Sequence, residues 1–407
     1  MIINLAWKNI WRNKTRSFVI IGAIALGLFS GTYLSALMTG WVMDTVNADI
    51  KINLSHVQIH DSTFLQNSDI GAFFNKTAVE QQFASSNING KMTCRLKLNG
   101  MLASANNAVG VTAKGIFKDT EMTVSDIATQ IPDSFGVFLP DDARMPVVIS
   151  EKTAEKLKVR LKSKIVFTFS DIHGNMQSLA FRVSGIFHTS NGLFDEANVF
   201  VRYNDIFPVT GLPDEAVHEA AVLLPDIETC ALDFPKIKDL YPQLKVQDWK
   251  ELNPMLSMSL QWTNLMSVII ISIFLFALTF GIINTMLMAV LERTRELGML
   301  GAIGMSKRKI FSMIMLETVF LTFVGSIIGI ILAVALLLPS LQNGLDLTPL
   351  IGNDFEDFGG FSSIVYPILN VEMILEIIGL VILAGILSAI YPARKALKLK
   401  ALDAIRV

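Results

Sequence analysis

The chain has 407 residues, of which 52% are hydrophobic and only 17% charged. Soluble domains carry about a quarter charged residues, so this composition argues against a protein that lives wholly in water. The net charge of −2 conceals a strong asymmetry along the chain.

The N-terminus reads Leu5-Ala6-Trp7-Lys8-Asn9-Ile10-Trp11-Arg12, with apolar and basic residues interleaved at helical spacing. That pattern fits an amphipathic helix within residues 1–17, lying in the cytoplasmic interface with Trp7 and Trp11 at headgroup depth. Phe18–Met38 then opens the first of four apolar runs; the others are Leu265–Leu291, Ile310–Leu338 and Val371–Ile390. Each is long enough to cross a bilayer, which takes about 20 apolar residues. The first is longer than the apolar core of a signal peptide, and no small-x-small cleavage site follows, so it is expected to stay as a span.

That span continues without a breaker through Trp41 and Val46 towards Leu54, and residues 18–43 are assigned to span and stalk. Residues 44–253 have ordinary soluble composition and read as an α+β domain, in one lobe or two. His56–His60, Pro146–Ile149, Lys164–Ser170, Gln177–Phe187 and Asn198–Arg202 read as strands, with a helix from Ser150 to Lys158 and a strand–helix–strand order from Glu215 to Gln247. Cys94 and Cys230 both fall in this domain. They either pair or are two separate buried residues, and no spacing signal supports a pair.

The second span starts early. Asn253 suits an N-cap and Pro254 the first helical position. From Pro254 to Leu291 is 38 residues, about 57 Å at 1.5 Å per residue, against a hydrocarbon core of about 30 Å. About half of this helix should therefore protrude, and with the first span it would form a stiff two-helix stalk. Residues 292–309 form a charged cytoplasmic segment, 310–338 the third span, 339–370 an irregular outer loop, 371–391 the fourth span and 392–407 a basic tail.

Charge fixes the expected orientation. Residues 1–17, the segment between spans two and three, and the tail together carry fourteen bases and three acids. The loop between spans three and four has Asp346, Asp354, Glu356 and Asp357 and no base. The positive-inside rule places the basic pieces in the cytoplasm, and so places both termini inside and the large domain outside.

The segment Glu292–Met305 sets charges of both signs before a glycine-punctuated apolar stretch. It can be a short surface helix that docks in a partner's cleft, with the charges on the rim, or a plain solvated turn. The sequence resembles the coupling-helix signature of FtsX-like/MacB-like ABC transporter permeases at Glu292, Arg293, Glu296, Leu297, Gly298, Leu300, Ala302, Ile303 and Gly304, with Gly301 where a basic residue is usual. Tyr391–Leu397 and Ala401–Arg406 resemble the tail of that family, with Leu402 in place of a common proline, and Ala6–Asn13 its N-terminal helix. The resemblance implies four transmembrane helices (one, then three) around a large MacB-like periplasmic domain.

It further implies that Glu292, Arg293, Thr294, Arg295, Glu296, Leu297, Gly298, Ala302 and Gly304 couple to a separate ABC ATPase, which binds ATP and Mg. Two ATPase subunits and a second permease copy or paralogue are implied as partners, in a bacterial inner membrane. Ser55–His60, Val148–Leu161 and Gly185–Asp195 resemble lipoprotein-releasing permeases, so release of a lipoprotein towards the outer membrane is the first expectation. A periplasmic carrier is a further partner in that system, but the hairpin at Phe169–Gln177 that would recruit it is short. FtsX-like signalling and peptide or drug efflux are the alternatives. Tyr33, Leu37, Trp41, Met255, Met258, Trp262 and Met266 crowd the outer ends of spans one and two and suit either acyl-chain binding or interfacial anchoring.

Gly27/Gly31 and Gly325/Gly329 are small-xxx-small pairs that allow close helix approach, within one chain or between two. Asn284 and Glu317 are polar groups within spans, and Glu317 calls for a structural partner near the cytoplasmic end. The sequence has no P-loop, Gly-x-Ser-x-Gly or HExxH and no metal-binding cluster. No catalytic site, no resident cofactor and no nucleic-acid partner are expected.

Overall fold

The computed structural model describes residues 2–351, 364–369 and 371–398. The acids Asp354, Glu356 and Asp357 and the tail motif Ala401–Arg406 lie outside the described residues. The chain divides into two compact units, one comprising Met1–Val42, Leu260–Asp346 and the chain from Ile364, the other Met43–Ser259 and the segment that begins at Leu347.

The first unit is helical. Helix α1 (Ile2–Arg12) is separated at Asn13 from α2 (Lys14–Asp49), so Lys14 and Arg16 belong to the spanning helix rather than to the amphipathic one. Next come α3 (Pro254–Glu292), α4 (Thr294–Ala302), α5 (Lys307–Asn343) and α6 (Val371–Lys398). Four of these helices, α2, α3, α5 and α6, are long and apolar enough to cross a membrane. Both α2 and α3 run on, unbroken, into residues of the outer unit.

Two helices outlast their sequence limits. Pro339 does not end α5, which closes at Gly344 with φ of +70° and an N–H donated to the Ser340 carbonyl at 3.0 Å. Pro392 does not end α6, which continues to Lys398. Proline is tolerated in membrane helices because neighbours re-satisfy the freed carbonyls.

The core of this unit runs through Ile10, Ile24, Leu28, Ile282, Met286, Ile314, Leu321 and Val381. Both small-residue pairs are used inside the chain. A Cβ on Gly325 would lie 2.7 Å from Ile24, and one on Gly329 would lie 2.7 Å from the Ala25 carbonyl oxygen. A Cβ on Gly27 would lie 3.1 Å from Leu278, and one on Gly31 would lie 3.8 Å from Ile271.

The outer unit is built on nine strands: β1 (Val57–His60), β2 (Lys91–Ala103), β3 (Ala108–Ile116), β4 (Pro146–Ser150), β5 (Lys164–Ser170), β6 (Met176–Phe187), β7 (Asn198–Arg202), β8 (Glu219–Leu223) and β9 (Lys245–Asp248). Their order is β9-β1-β8-β2-β3-β7-β4-β6-β5. Strand β5 then returns to β2, pairing Val166–Phe169 with Gly100–Ala103. Six strands, β2 to β7, thus close into a ring, while β8, β1 and β9 continue the sheet from the other side of β2. Rather than two separable lobes, the unit has two parts that share one strand, and the closure removes edges that would otherwise invite pairing.

An aromatic core of Phe138, Phe187, Phe194 and Phe200 with Ile116 and Val148 fills the ring side, and Ile52 joins it from the turn that follows α2. Cys94 and Cys230 are both free and buried. The β-hairpin made by β2 and β3 was not among the expected strands, although residues 93–98 alternate and Ser104-Ala105-Asn106-Asn107 supplies the turn.

The packing of α5 on α2 is directly testable. Gly329→Leu overpacks the crossing and should cost about 1–3 kcal/mol, lowering the thermal midpoint of the purified chain in detergent. Gly22→Leu, where a Cβ would meet nothing within 4 Å, should leave that midpoint nearly unchanged. Equal effects would contradict the crossing.

Candidate functional site

The charged segment between α3 and α5 splits into two faces. Arg293, between α3 and α4, turns inward. Its Nη1 lies 3.3 Å from each carboxylate oxygen of Glu317 on α5, and its Nε donates to Glu296 Oε2 at 3.2 Å. Asn9 of α1 donates to Glu317 Oε1 at 2.6 Å, and Arg12 of α1 pairs with Glu296. The Arg12 hydrogen bond, with help from Arg293, holds the Glu296 carboxyl below its ordinary value. Trp7 meets Phe320 edge-on, with ring centroids 5.5 Å apart. One relay of paired groups therefore ties α1, α4 and α5 together.

Sequence reasoning placed Arg293 and Glu296 on the rim of a docking surface; Arg293 is mostly buried against Glu317, Glu296 is half exposed while paired with Arg293 and Arg12, and Leu297 is buried in the core. Asn9 and Arg12 went unnoticed as members of this cluster. They lie some three hundred residues from their partners in sequence, and only the helical phase of α1 hints that they share a face. Glu317 finds its structural partners in Arg293 and Asn9.

What stays exposed is Glu292, Arg295, Met299, Ala302 and Ile303, the last at 83%. Arg295, Met299, Ala302 and Ile303 follow one another at helical spacing on a single stripe. Thr294 is half-buried and bonds back to the Leu291 carbonyl at 2.6 Å, and Gly298 is half-buried as well. Gly304, at φ +99°, takes the left-handed turn that ends the segment.

The seven residues suggested for an amphiphile divide between the two units. Met255 and Met258 are exposed in the outer unit. In the helical unit Trp262 and Met266 are exposed on α3, and Tyr33, Leu37 and Trp41 are half-buried on α2. A groove of about 400 Å³ between α2 and α3 is lined by residues such as Ile20, Gly27, Ser30, Phe274 and Gly281. None of the seven lines it.

Residues 268–401 match the family model described as FtsX-like permease C-terminal. This stretch is an FtsX-like permease domain. It takes in most of α3 and all of α4, α5 and α6, so the two-faced segment lies inside it. The ABC transporter permease YtrF of Bacillus subtilis is 37% identical over 31% of this chain and 28% of its own length. The macrolide export ATP-binding/permease protein MacB of Campylobacter fetus is 33% identical over 30% of this chain and 16% of its own. This chain thus spans well under half the length of either relative. The uncharacterized ABC transporter permease MJ1507 of Methanocaldococcus jannaschii aligns with 100% of this chain and 97% of itself, at 24% identity. The periplasmic region of MacB from Actinobacillus actinomycetemcomitans is similar in structure over 53% of this chain and 98% of that one, at 12% identity and a TM-score of 0.36.

Upstream of the permease domain, α2 ends in a π-helical turn, Ile50–Leu54, held by buried charge. Arg95 on β2 grips Glu121 through Nε and Nη2 at 2.9 and 2.7 Å, and its Nη1 reaches Glu219 at 2.7 Å and the Asn53 carbonyl at 3.3 Å. Lys97 and His60 also bond Glu219, at 2.9 and 3.2 Å. Lys114 on β3 donates to the Asn53 side chain at 3.0 Å and sits over the Phe194 ring. Ser125 and Gln58 bond the carbonyls of Ile52 and Leu54 at 3.0 and 2.9 Å.

Burial alone would raise the Glu219 pKa, but Lys97, His60 and Arg95 hold it well below the usual range. Burial, reinforced by the Arg95 charge, pushes Lys114 down to about 7. The unfolded chain keeps Lys114 protonated up to about 10.5. The cost of burying its charge is therefore full below about pH 7 and fades as pH rises towards 10.5. Lys114→Met should raise the thermal midpoint most at pH 7, with the gain over the native chain shrinking by pH 10. A gain independent of pH would contradict a depressed Lys114.

Proposed function

We propose that this chain is the membrane subunit of an ATP-driven complex that extracts or exports an amphiphile, and that α4 is where a separate ABC ATPase pushes. The observation that carries the reading is the two-faced segment. Its inner side is locked to α1 and α5 through Arg293, Glu296 and Leu297, and its outer side offers the Arg295–Met299–Ile303 stripe. A short helix with an apolar, charge-flanked exposed face suits docking in a partner's groove. Lys307, Arg308 and Lys309, all exposed, extend that face with positive charge.

In this reading the partner binds ATP and Mg, two ATPase subunits work with two permease chains (a second copy or a paralogue), and the complex sits in a bacterial inner membrane. Both termini and α4 are cytoplasmic and the outer unit periplasmic, as the basic segments favour. Release of a lipoprotein is the first choice of substrate, supported by the resemblance of Ser55–His60 and Gly185–Asp195 to lipoprotein-releasing permeases. Tyr33, Leu37, Trp41, Trp262 and Met266 are then the helical-unit residues proposed to meet its apolar part, with Met255 and Met258 from the outer unit. A second reading, in which the outer unit acts mechanically on a periplasmic partner and nothing is transported, draws on the buried charges that grip the end of α2.

The coupling claim is tested by Arg295→Glu with Ile303→Asp, which spares the inward relay. Assembly with the ATPase and substrate-stimulated ATP turnover should both fall at least tenfold, while the isolated chain keeps its thermal midpoint. Unchanged assembly and turnover would contradict it.

A further inference from the structure

The outer unit carries a groove of about 730 Å³ whose lining includes Arg144, Lys162, Lys164 and Arg182 and no acid. All four cations are exposed, and no carboxylate among the described residues pairs with them. The nearest acids in sequence do not relieve them: Asp141 is taken by Lys118, and Asp142 does not line the groove. Leu161 and the exposed Val137 give the walls an apolar part. A neighbouring groove of about 480 Å³ shares Leu161 but includes Glu151 and Glu155, so it lacks this single sign of charge.

The walls are built in advance. Val137 and Lys162 donate backbone N–H groups to the carbonyls of Ser184 and Val183 at 2.9 and 2.8 Å, and Arg182 donates to the Met145 carbonyl at 2.9 Å. Three segments are thereby pinned to β6. Three lining residues also hold left-handed backbone: Gly136 at φ +106°, Met145 at +50° and Lys162 at +67°. For the two that are not glycine such conformations cost of order 1–3 kcal/mol each and persist where the surroundings enforce them, often at binding sites.

We infer that this groove binds an acidic, partly apolar segment of a partner protein. Like charges around a concave, low-dielectric wall focus the field and attract the opposite sign. The volume lies within the 300–1,000 Å³ range of sites that enclose a ligand. A lipid surface is flat, whereas these cations line a concave groove walled by three backbone segments. The groove lies outside the permease domain and owes nothing to the ATPase reading.

The test uses the full chain in neutral detergent, without nucleotide or ATPase, so that its failure says nothing about coupling. The probe is a fluorescein-labelled ten-residue peptide alternating Glu and Leu, with a Gln–Leu peptide as its uncharged counterpart, read by anisotropy. The Glu peptide should bind at least tenfold more tightly than the Gln peptide. Raising the salt should weaken it, and Lys162→Glu with Lys164→Glu should weaken it at least tenfold. Arg144→Glu serves in their place should that pair fail to fold, as judged by circular dichroism. Equal binding of the two peptides, or undiminished binding to the folded variant, would overturn the proposal. So would displacement of the peptide by phosphatidylglycerol vesicles but not by phosphatidylcholine vesicles, which would make a membrane the occupant.

Discussion

Arg95 is a fully buried guanidinium between two buried carboxylates, and its remaining reach goes to the backbone of the turn that ends the first spanning helix. Such an ion is expensive to bury and is tolerated only when its donors are met. Here Glu121, Glu219 and the Asn53 carbonyl meet them, so the lattice and the turn specify one another. Lys114 adds a second grip on the same asparagine, through the side chain. One step back along the chain, Asp49 accepts from Asn191 and from Asn253, the residue just before α3. Within the outer unit, the end of α2 and the start of α3 therefore share one carboxylate.

The helical unit repeats the logic with different residues. Glu317 is a buried acid within the long apolar helix α5, where unpaired charge is costly. It is satisfied by Arg293 and Asn9, and Arg293 in turn reaches Glu296, which holds Arg12. The inner side of α4 meets α1 through the Arg12–Glu296 pair and α5 through Arg293 beside it. The paired charges thus supply stiffness at both ends of long apolar helices whose interiors offer only packing.

Much of this plan was legible in the sequence, for reasons that can be named. Apolar runs longer than 20 residues and clustered bases mark spans whatever the tertiary structure, and α2, α3, α5 and α6 fall on them. Strand–turn–strand patterns are local, so β5 and β6 were readable. Closure of the ring was not, because β2 meets β5 some 65 residues away and no local pattern encodes that pairing. The intrachain pairing of Glu296 was unreadable for a similar reason: its partner Arg12 lies at the other end of the chain. The small-residue pairs announced close contact but not with whom, and the backbone of Ala25 beside Gly329 supplies the answer.

We propose that motion imposed at α4 reaches the outer unit through α2 and its grip at Asn53. Spin labels on L193C in the outer unit and V371C at the start of α6, both exposed positions, report that motion as a distance in the complex with its ATPase. The distance should change between nucleotide-free and vanadate-trapped states, and four glycines inserted between Asp49 and Ile50 should abolish the change while ATP turnover persists. An undiminished change in the glycine variant would contradict the account.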